Sequence, residues 1–92
     1  AMSNIIEKII AILVEVKENP DAKENYTENS KIIEDIGLDS LEMINFVLRI
    51  EDEFSIEINF DEFNFSDMDD VKTFASFVED RIESQNKDGV PV

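Results

Sequence analysis

The first apolar pattern along the chain has helical spacing. Two neighbouring stripes merge into one wide apolar face, with Ile6, Ile10, Leu13 and Val16 beside Ile5, Ile9 and Ile12. Asn4 followed by Glu7 matches a capping box at the start of this pattern, with Ser3 as an alternative cap. The Asn-Pro-Asp run at residues 19–21 ends the pattern. The pattern therefore predicts a first helix over residues 4–16.

A second helical pattern follows Gly37. Asp39 and Glu42 have capping-box spacing, which predicts a helix over residues 40–54. The stripe that we expect to face the core consists of Leu41, Ile44, Leu48 and Phe54, widened by Val47 and Ile50. Met43 and Phe46 fall outside this stripe, so we expect them to be exposed or to border a pocket.

The two connections have weaker patterns. Residues 22–35 predict a long loop, which either is attached to the core by Tyr26 and the isoleucines at 32, 33 and 36 or carries function. Residues 54–60 alternate apolar and polar as a strand does, but the sequence offers no second strand to pair with it. We therefore expect an extended connection with Ile56 or Ile58 buried, followed by a short helical turn at residues 61–65.

The last helix is predicted to begin between residues 66 and 70. One of its faces is apolar and contains Val71, Phe74, Ala75, Val78 and Ile82. The resulting fold class is all-α, a small bundle of three main helices plus one short helix. We expect one domain at residues 4–84, a disordered N-terminal segment at residues 1–3, and a flexible C-terminal tail at residues 85–92.

The composition limits the available chemistry. The 92 residues include no Cys, His or Trp and only 2 Gly. A disulfide, a Cys/His zinc site, an imidazole base and a glycine-rich phosphate loop are therefore excluded. The acids after residue 66 do not form an EF-hand starting at Asp67, because Lys72 and Val78 stand where Gly and Glu are needed. We predict no enzyme activity and no bound metal.

The charge balance limits the partners. With 23 acidic and 8 basic residues, the formal net charge is −15. Such a surface repels nucleic acid and anionic lipid and attracts basic protein surfaces. No apolar run is long enough to cross a bilayer, and no basic segment precedes residues 5–16, so we expect a cytoplasmic protein without membrane insertion.

Ser40 is the candidate functional residue. It stands at the first position of the second helix, where unpaired backbone N–H groups and the helix dipole stabilise an attached phosphate. We expect Leu38 and Leu41 to anchor this turn in the core and leave the hydroxyl outside. Asp39 and Ser40 are also ordinary capping residues, so this short motif is specific only in its context.

That context resembles the acyl carrier proteins. Residues 33–41, Ile-Glu-Asp-Ile-Gly-Leu-Asp-Ser-Leu, are similar to their modification motif, and residues 42–58 are similar to their second helix and its exit. The resemblance covers residues 4–83. It implies that a phosphopantetheinyl transferase attaches 4′-phosphopantetheine from coenzyme A to Ser40, with Asp39 and Leu41 beside it. The thiol of this cofactor would carry acyl groups as thioesters in fatty-acid, polyketide or related biosynthesis.

The resemblance also implies a docking surface and a site for the acyl chain. Acyl-loading and acyl-processing enzymes with basic patches would contact four residues of the second helix, Glu42, Met43, Glu51 and Asp52. An acyl pocket would be formed by Phe46, Val47, Ile58, Phe63 and Met68. For Phe60, Phe63 and Phe65 the first interpretation is ordinary core packing, and the alternatives are a reshaped acyl pocket or an aromatic contact for a partner. Asn45 and Arg49 depart from the acidic pattern of the family.

A second function fits the same charge asymmetry. Thirteen acids and a single base, Arg49, lie between residues 34 and 70. An acidic adaptor that binds a basic partner without a covalent cofactor would have this composition. In either case we expect a stand-alone monomer.

Overall fold

The computed structural model describes residues 2–59 and 65–88, and all of its regular structure in these ranges is helical. Three long helices, α1 (Met2–Lys17), α2 (Ser40–Phe54) and α3 (Val71–Asp88), form the bundle. Short helical turns lie at Pro20–Glu24, Ile32–Ile36 and Phe65–Met68. The predicted all-α bundle of three main helices is confirmed. Within the described ranges, none of the helices is both long enough and apolar enough to span a bilayer.

The helix bounds differ from the predictions at both ends of α1 and at both ends of α3. α2 has the predicted bounds, but α1 begins at Met2, so the proposed capping box of Asn4 and Glu7 lies inside the helix and that prediction is wrong. α3 begins after Asp70, whose carboxylate accepts a hydrogen bond from the Thr73 N–H at 2.8 Å. α3 then continues to residue 88, past the expected boundary at 84, and residues 89–92 lie outside the described residues.

The core lies where the three helices meet. α1 buries Ile5, Ile9, Ile12, Leu13 and Val16. α3 buries Val71, Phe74, Ala75 and Val78, as its pattern predicts. The rings of Phe46 on α2 and Phe74 on α3 pack with their centroids 5.2 Å apart, which joins these two helices through the largest buried side chains.

The prediction for the core face of α2 is right for Val47 and Ile50 and wrong for Leu41, Ile44 and Leu48. Phe46, Val47 and Ile50 are buried, and Met43 is half-buried against the core. Leu41, Ile44 and Leu48, which we expected inside, are 77%, 51% and 57% exposed. The helix carries apolar side chains on two sides, and the positions of α1 and α3 decide which side is covered.

The connection before α2 is held by backbone hydrogen bonds to the start of α3. The Ile32 N–H donates to the Asp69 carbonyl at 2.8 Å, and the Val71 N–H donates to the Ser30 carbonyl at 3.0 Å. Ile32 and Ile36 are buried as predicted, whereas Ile33 is 42% exposed and does not reach the core. These bonds place the segment that leads into α2 against the body of the bundle.

The connection after α2 has neither helix nor strand over residues 56–59, and both Ile56 and Ile58 are buried. Gln85 of α3 fixes this connection through the backbone of Glu57, accepting from its N–H and donating to its carbonyl, each at 3.0 Å. Arg81 donates to the same carbonyl at 3.0 Å. The helical turn predicted at residues 61–65 falls mostly on residues 60–64, which lie outside the described residues.

Candidate functional site

Ser40 is the first residue of α2, and its side chain is exposed. Within the described part of the chain, its hydroxyl makes no hydrogen bond to another side chain. Because Ser40 is the first residue of the helix, a phosphate on this oxygen would lie at the positive end of α2. Leu38 anchors the preceding turn at 9% exposure, but Leu41, which we expected to anchor the following turn, is exposed.

Asp39 and Glu42 form the predicted capping box. The Glu42 N–H donates to Asp39 Oδ1 at 2.8 Å, and the Asp39 N–H donates to Glu42 Oε1 at 3.0 Å. These two bonds satisfy two backbone donors and fix the point at which helical geometry begins. Ser40 therefore leaves the backbone in a direction that the cap determines.

Gly37 provides the change of direction just before this cap. It has a φ of 76° and a ψ of 61°, in the left-handed region, and its N–H donates to the Ile32 carbonyl at 3.0 Å. A Cβ at this position would meet no atom within 4 Å. The need for glycine is therefore conformational rather than steric, since other residues adopt a positive φ at a cost.

Lys17 connects the end of α1 to this turn. Its Nζ lies 2.9 Å from the Gly37 carbonyl oxygen and 3.0 Å from Glu42 Oε1. The Lys17 and Glu42 side chains are 24% and 25% exposed, which shields the pair partly from solvent. The same carboxylate oxygen thus accepts from the Asp39 backbone and from the ammonium group of another helix.

The four residues predicted to contact partner proteins differ in how exposed they are and in whether they are already engaged within the bundle. Glu42 is engaged by Lys17, and Met43 is half-buried against the core. Glu51 is half-buried, and its Oε2 accepts from the Ile58 N–H at 2.7 Å, which holds the connection after α2. Asp52 is exposed to solvent.

The sequence analysis missed an exposed apolar stripe on α2, made of Leu41, Ile44 and Leu48. Because these residues are three and four positions apart, they lie on one side of the helix beside Ser40. A signal was present in the sequence, since α2 has large apolar residues around most of its circumference and one core face accommodates only part of them. Three neighbouring apolar side chains in water are typical of an interaction surface.

The predicted pocket residues lie in the interior. Phe46, Val47, Ile58 and Met68 are at most 6% exposed and belong to one buried cluster. Phe63 lies outside the described residues, as does Phe60, and the side chain of Phe65 is not described. The four described residues bring α2, the connection after it, and the turn before α3 into contact.

Arg49 is held against α1. Its Nη1 lies 2.6 Å from Glu15 Oε2, and its Nε donates to Asn45 Oδ1 at 3.3 Å. Asn45 and Arg49, the two positions at which α2 departs from the acidic pattern of the family, are therefore bonded to each other, and Arg49 also bonds to α1. In the described ranges, no group of three or more Asp or Glu residues is arranged to hold a metal ion.

The exposed hydroxyl at a capped helix start fits a covalently attached phosphate, and comparisons with known proteins agree. The family described as "Phosphopantetheine attachment site" matches residues 7–79. The acyl carrier protein of Caulobacter vibrioides (strain NA1000 / CB15N) is 41% identical over 58 residues, 62% of this chain and 70% of the relative. That of Lactobacillus acidophilus is 39% identical over 59 residues, 64% and 68% of the two chains. The chain belongs to the acyl carrier protein family, carrier proteins rather than enzymes, which hold 4′-phosphopantetheine covalently.

Proposed function

We propose that Ser40 is the residue to which the 4′-phosphopantetheine is attached. The observation that carries this proposal is the exposed Ser40 hydroxyl at the first position of a capped helix, inside the region that matches the attachment-site family. The backbone N–H groups of the first turn are oriented to stabilise the phosphodiester. When attached, the cofactor supplies the thiol that holds acyl groups as thioesters.

The reaction at Ser40 is a phosphoryl transfer from coenzyme A. Ser40 Oγ forms the new P–O bond, the pyrophosphate bond of coenzyme A breaks, and adenosine 3′,5′-bisphosphate leaves. We assign the base that receives the serine proton to the transferase, because this chain has no His and the Asp39 carboxylate caps α2 through Oδ1. The contribution of this chain is to present the oxygen, and activation comes from the transferase.

The surface of α2 supports a docking site for the transferase and for acyl-loading and acyl-processing enzymes. Leu41, Ile44 and Leu48 would enter an apolar depression of the partner, with Ser40 at one end of the stripe. The exposed carboxylate of Asp52 would meet a basic patch at the other end. We propose that Glu42, Met43 and Glu51 act mainly by shaping this surface, since each is engaged within the bundle. Exposed charges increase the rate of encounter more than the affinity, which suits a carrier that must dissociate.

The acyl chain would shelter in the interior next to α2. Phe46, Val47, Ile58 and Met68 are apolar and contiguous, so a modest separation of α2 from the turn before α3 would create an apolar site. We place the carrier in fatty-acid, polyketide or related biosynthesis, acting as a cytoplasmic monomer. Its acidity supports partners with basic surfaces.

The test is modification by a broad-specificity phosphopantetheinyl transferase with coenzyme A, followed by intact-mass analysis and peptide mapping. We expect a mass gain of one phosphopantetheine located on Ser40. Ser40→Ala should abolish the gain, while Ser76→Ala, which changes an exposed serine on α3, should not. A chain that gains no mass, or that still gains it as Ser40→Ala, would refute the proposal.

A further inference from the structure

The turn that presents Ser40 is held from outside its own helix. Lys17 belongs to the last turn of α1, 20 residues before Gly37 and 25 before Glu42, yet its Nζ contacts both. Gly37 lies before the cap and Glu42 lies after it. One ammonium group therefore joins the two ends of the segment that contains Asp39 and Ser40.

The Gly37 end of this segment depends on an external donor. With its φ of 76°, Gly37 has left the preceding helical turn, and its carbonyl accepts from Lys17 Nζ rather than from the α2 backbone. The Glu42 end is held by the capping box, whose carboxylate Lys17 also contacts. Without Lys17 the box could still form, but the carbonyl before it would be held less firmly.

We infer that Lys17 is a positioning residue for the modification of Ser40, and this inference rests on the function proposed above. Its ammonium group fixes the turn of Gly37, Leu38 and Asp39 in the conformation that the transferase recognises. Only the fraction of molecules with this conformation binds productively, so loss of the contact raises the apparent KM and leaves kcat nearly unchanged. Ser40 remains the reacting group, and Lys17 touches neither it nor coenzyme A.

The experiment measures modification kinetics for Lys17→Met with Lys8→Met as its matched control. Lys8 also belongs to α1 and pairs with α2, at 3.6 Å from Glu53, but at the far end of that helix from Ser40. Both variants lose one positive charge, so a general charge effect would alter both equally. We expect Lys17→Met to raise KM about tenfold with kcat within about twofold, and Lys8→Met to leave both near wild type.

Three further measurements separate positioning from other roles. Lys17→Arg should restore most of the wild-type KM, and the Asp39 amide should exchange with solvent faster in Lys17→Met than in Lys8→Met. The double variant Lys17→Met with Glu42→Gln should raise KM by less than the product of the two single-variant factors, because both variants remove the same contact between Lys17 Nζ and Glu42 Oε1. A raised KM in Lys17→Met with unchanged exchange of the Asp39 amide would instead indicate that Lys17 contacts the transferase directly and would overturn the inference.

The outcomes also distinguish this inference from the proposed function. If wild-type protein is not modified on Ser40, the proposed function fails. If wild-type protein is modified and Lys17→Met has the same KM as Lys8→Met, the proposed function stands and the positioning role of Lys17 is refuted. Thermal unfolding of both variants, measured in parallel, confirms that each is folded at the assay temperature.

Discussion

α2 and α3 are long helices of the same bundle, but they use their outer surfaces differently. α3 buries four apolar residues completely, and its outward positions include Lys72, Ser76 and Asp80. α2 buries Phe46, Val47 and Ile50 but exposes three large apolar residues on its other side. α3 is therefore amphipathic in the ordinary sense, whereas α2 has a second apolar face that the bundle does not cover.

This difference in outer surface indicates that the two helices have different roles. The polar outer face of α3 is exposed to water, as most polar side chains are, and it needs no further explanation. An apolar outer face on α2, next to an exposed serine at its start, costs solubility unless a partner covers it. We infer that packing accounts for α3 and that packing plus partner binding accounts for α2.

The largest effect is expected for the buried rings that join these helices. Phe46→Ala and Phe74→Ala should each reduce the free energy of unfolding by about 3–5 kcal/mol, because each leaves a cavity in a closely packed core. Urea denaturation followed by circular dichroism measures this. A loss below about 1 kcal/mol for Phe46→Ala would show that α2 does not contribute to the core as the structure indicates.

The next effect concerns the exposed face of α2 and should appear in binding rather than in stability. Ile44→Ala should change the free energy of unfolding by less than about 0.5 kcal/mol, as expected for a surface substitution. The same variant should reduce kcat/KM for the transferase roughly 5–30-fold, as expected when an interface anchor worth about 1–2 kcal/mol is removed. Ser76→Ala on α3 is the control and should affect neither quantity. An Ile44→Ala variant with normal modification would contradict the docking surface.

The start of α3 provides a smaller effect with a defined pH dependence. A hydrogen bond from the Thr73 side chain holds the pKa of Asp70 below its ordinary value, and the Thr73 N–H acts in the same direction. Because the pKa of Asp70 is lower in the folded state than in the unfolded state, its ionised carboxylate stabilises the folded protein. This stabilisation is fully present at pH values above the unfolded-state pKa and is lost as the pH falls through the folded-state pKa.

Asp70→Ala should therefore cost about 1 kcal/mol of unfolding free energy at neutral pH, and less in acid. Asp70→Asn is the control, since asparagine caps a helix about as well but has no ionisable side chain. Denaturation at several pH values measures both variants. An Asp70→Ala deficit that stays constant down to the acid limit would refute the assigned role of this carboxylate.

The smallest effect is expected for the ion pair between α1 and α2. Arg49→Met removes the contact with Glu15 and should cost about 0.2–1 kcal/mol at low salt, because both side chains are largely exposed. The difference from wild type should shrink as salt is added. Thermal unfolding across a salt series is the measurement, and a salt-independent loss would show that Arg49 stabilises α2 through packing instead.

Sequence patterns predicted that the three helices exist more accurately than they predicted the residues at which these helices begin and end. The capping box at Asp39 and Glu42 fixed the start of α2, because both partners lie within one turn and depend on local geometry. The same spacing at Asn4 and Glu7 was misleading, since α1 already begins at Met2. A local motif is therefore reliable only where the preceding chain cannot continue the helix, as Gly37 prevents before α2.

The candidate site was partly accessible from the sequence. Ser40 and its cap followed from neighbouring residues and from a resemblance in the surrounding motif. The contacts of Lys17 did not, because they join residues 20 and 25 positions apart that only the packing of α1 against α2 brings together. The sequence also does not show which acidic residues of α2 are engaged within the bundle. Glu51 accepts a hydrogen bond from the Ile58 N–H, whereas the neighbouring Asp52 is exposed.

The sequence by itself determined that this chain forms three amphipathic helices, that a serine begins the second of them, and that the surface is strongly acidic. The tertiary structure decided which side of α2 is buried. At about 100° per residue, the two sets of apolar residues on α2 lie on nearly opposite sides, and periodicity alone ranks neither above the other. Only the positions of α1 and α3 remove one set from water, so Leu41, Ile44 and Leu48 remain available to a partner.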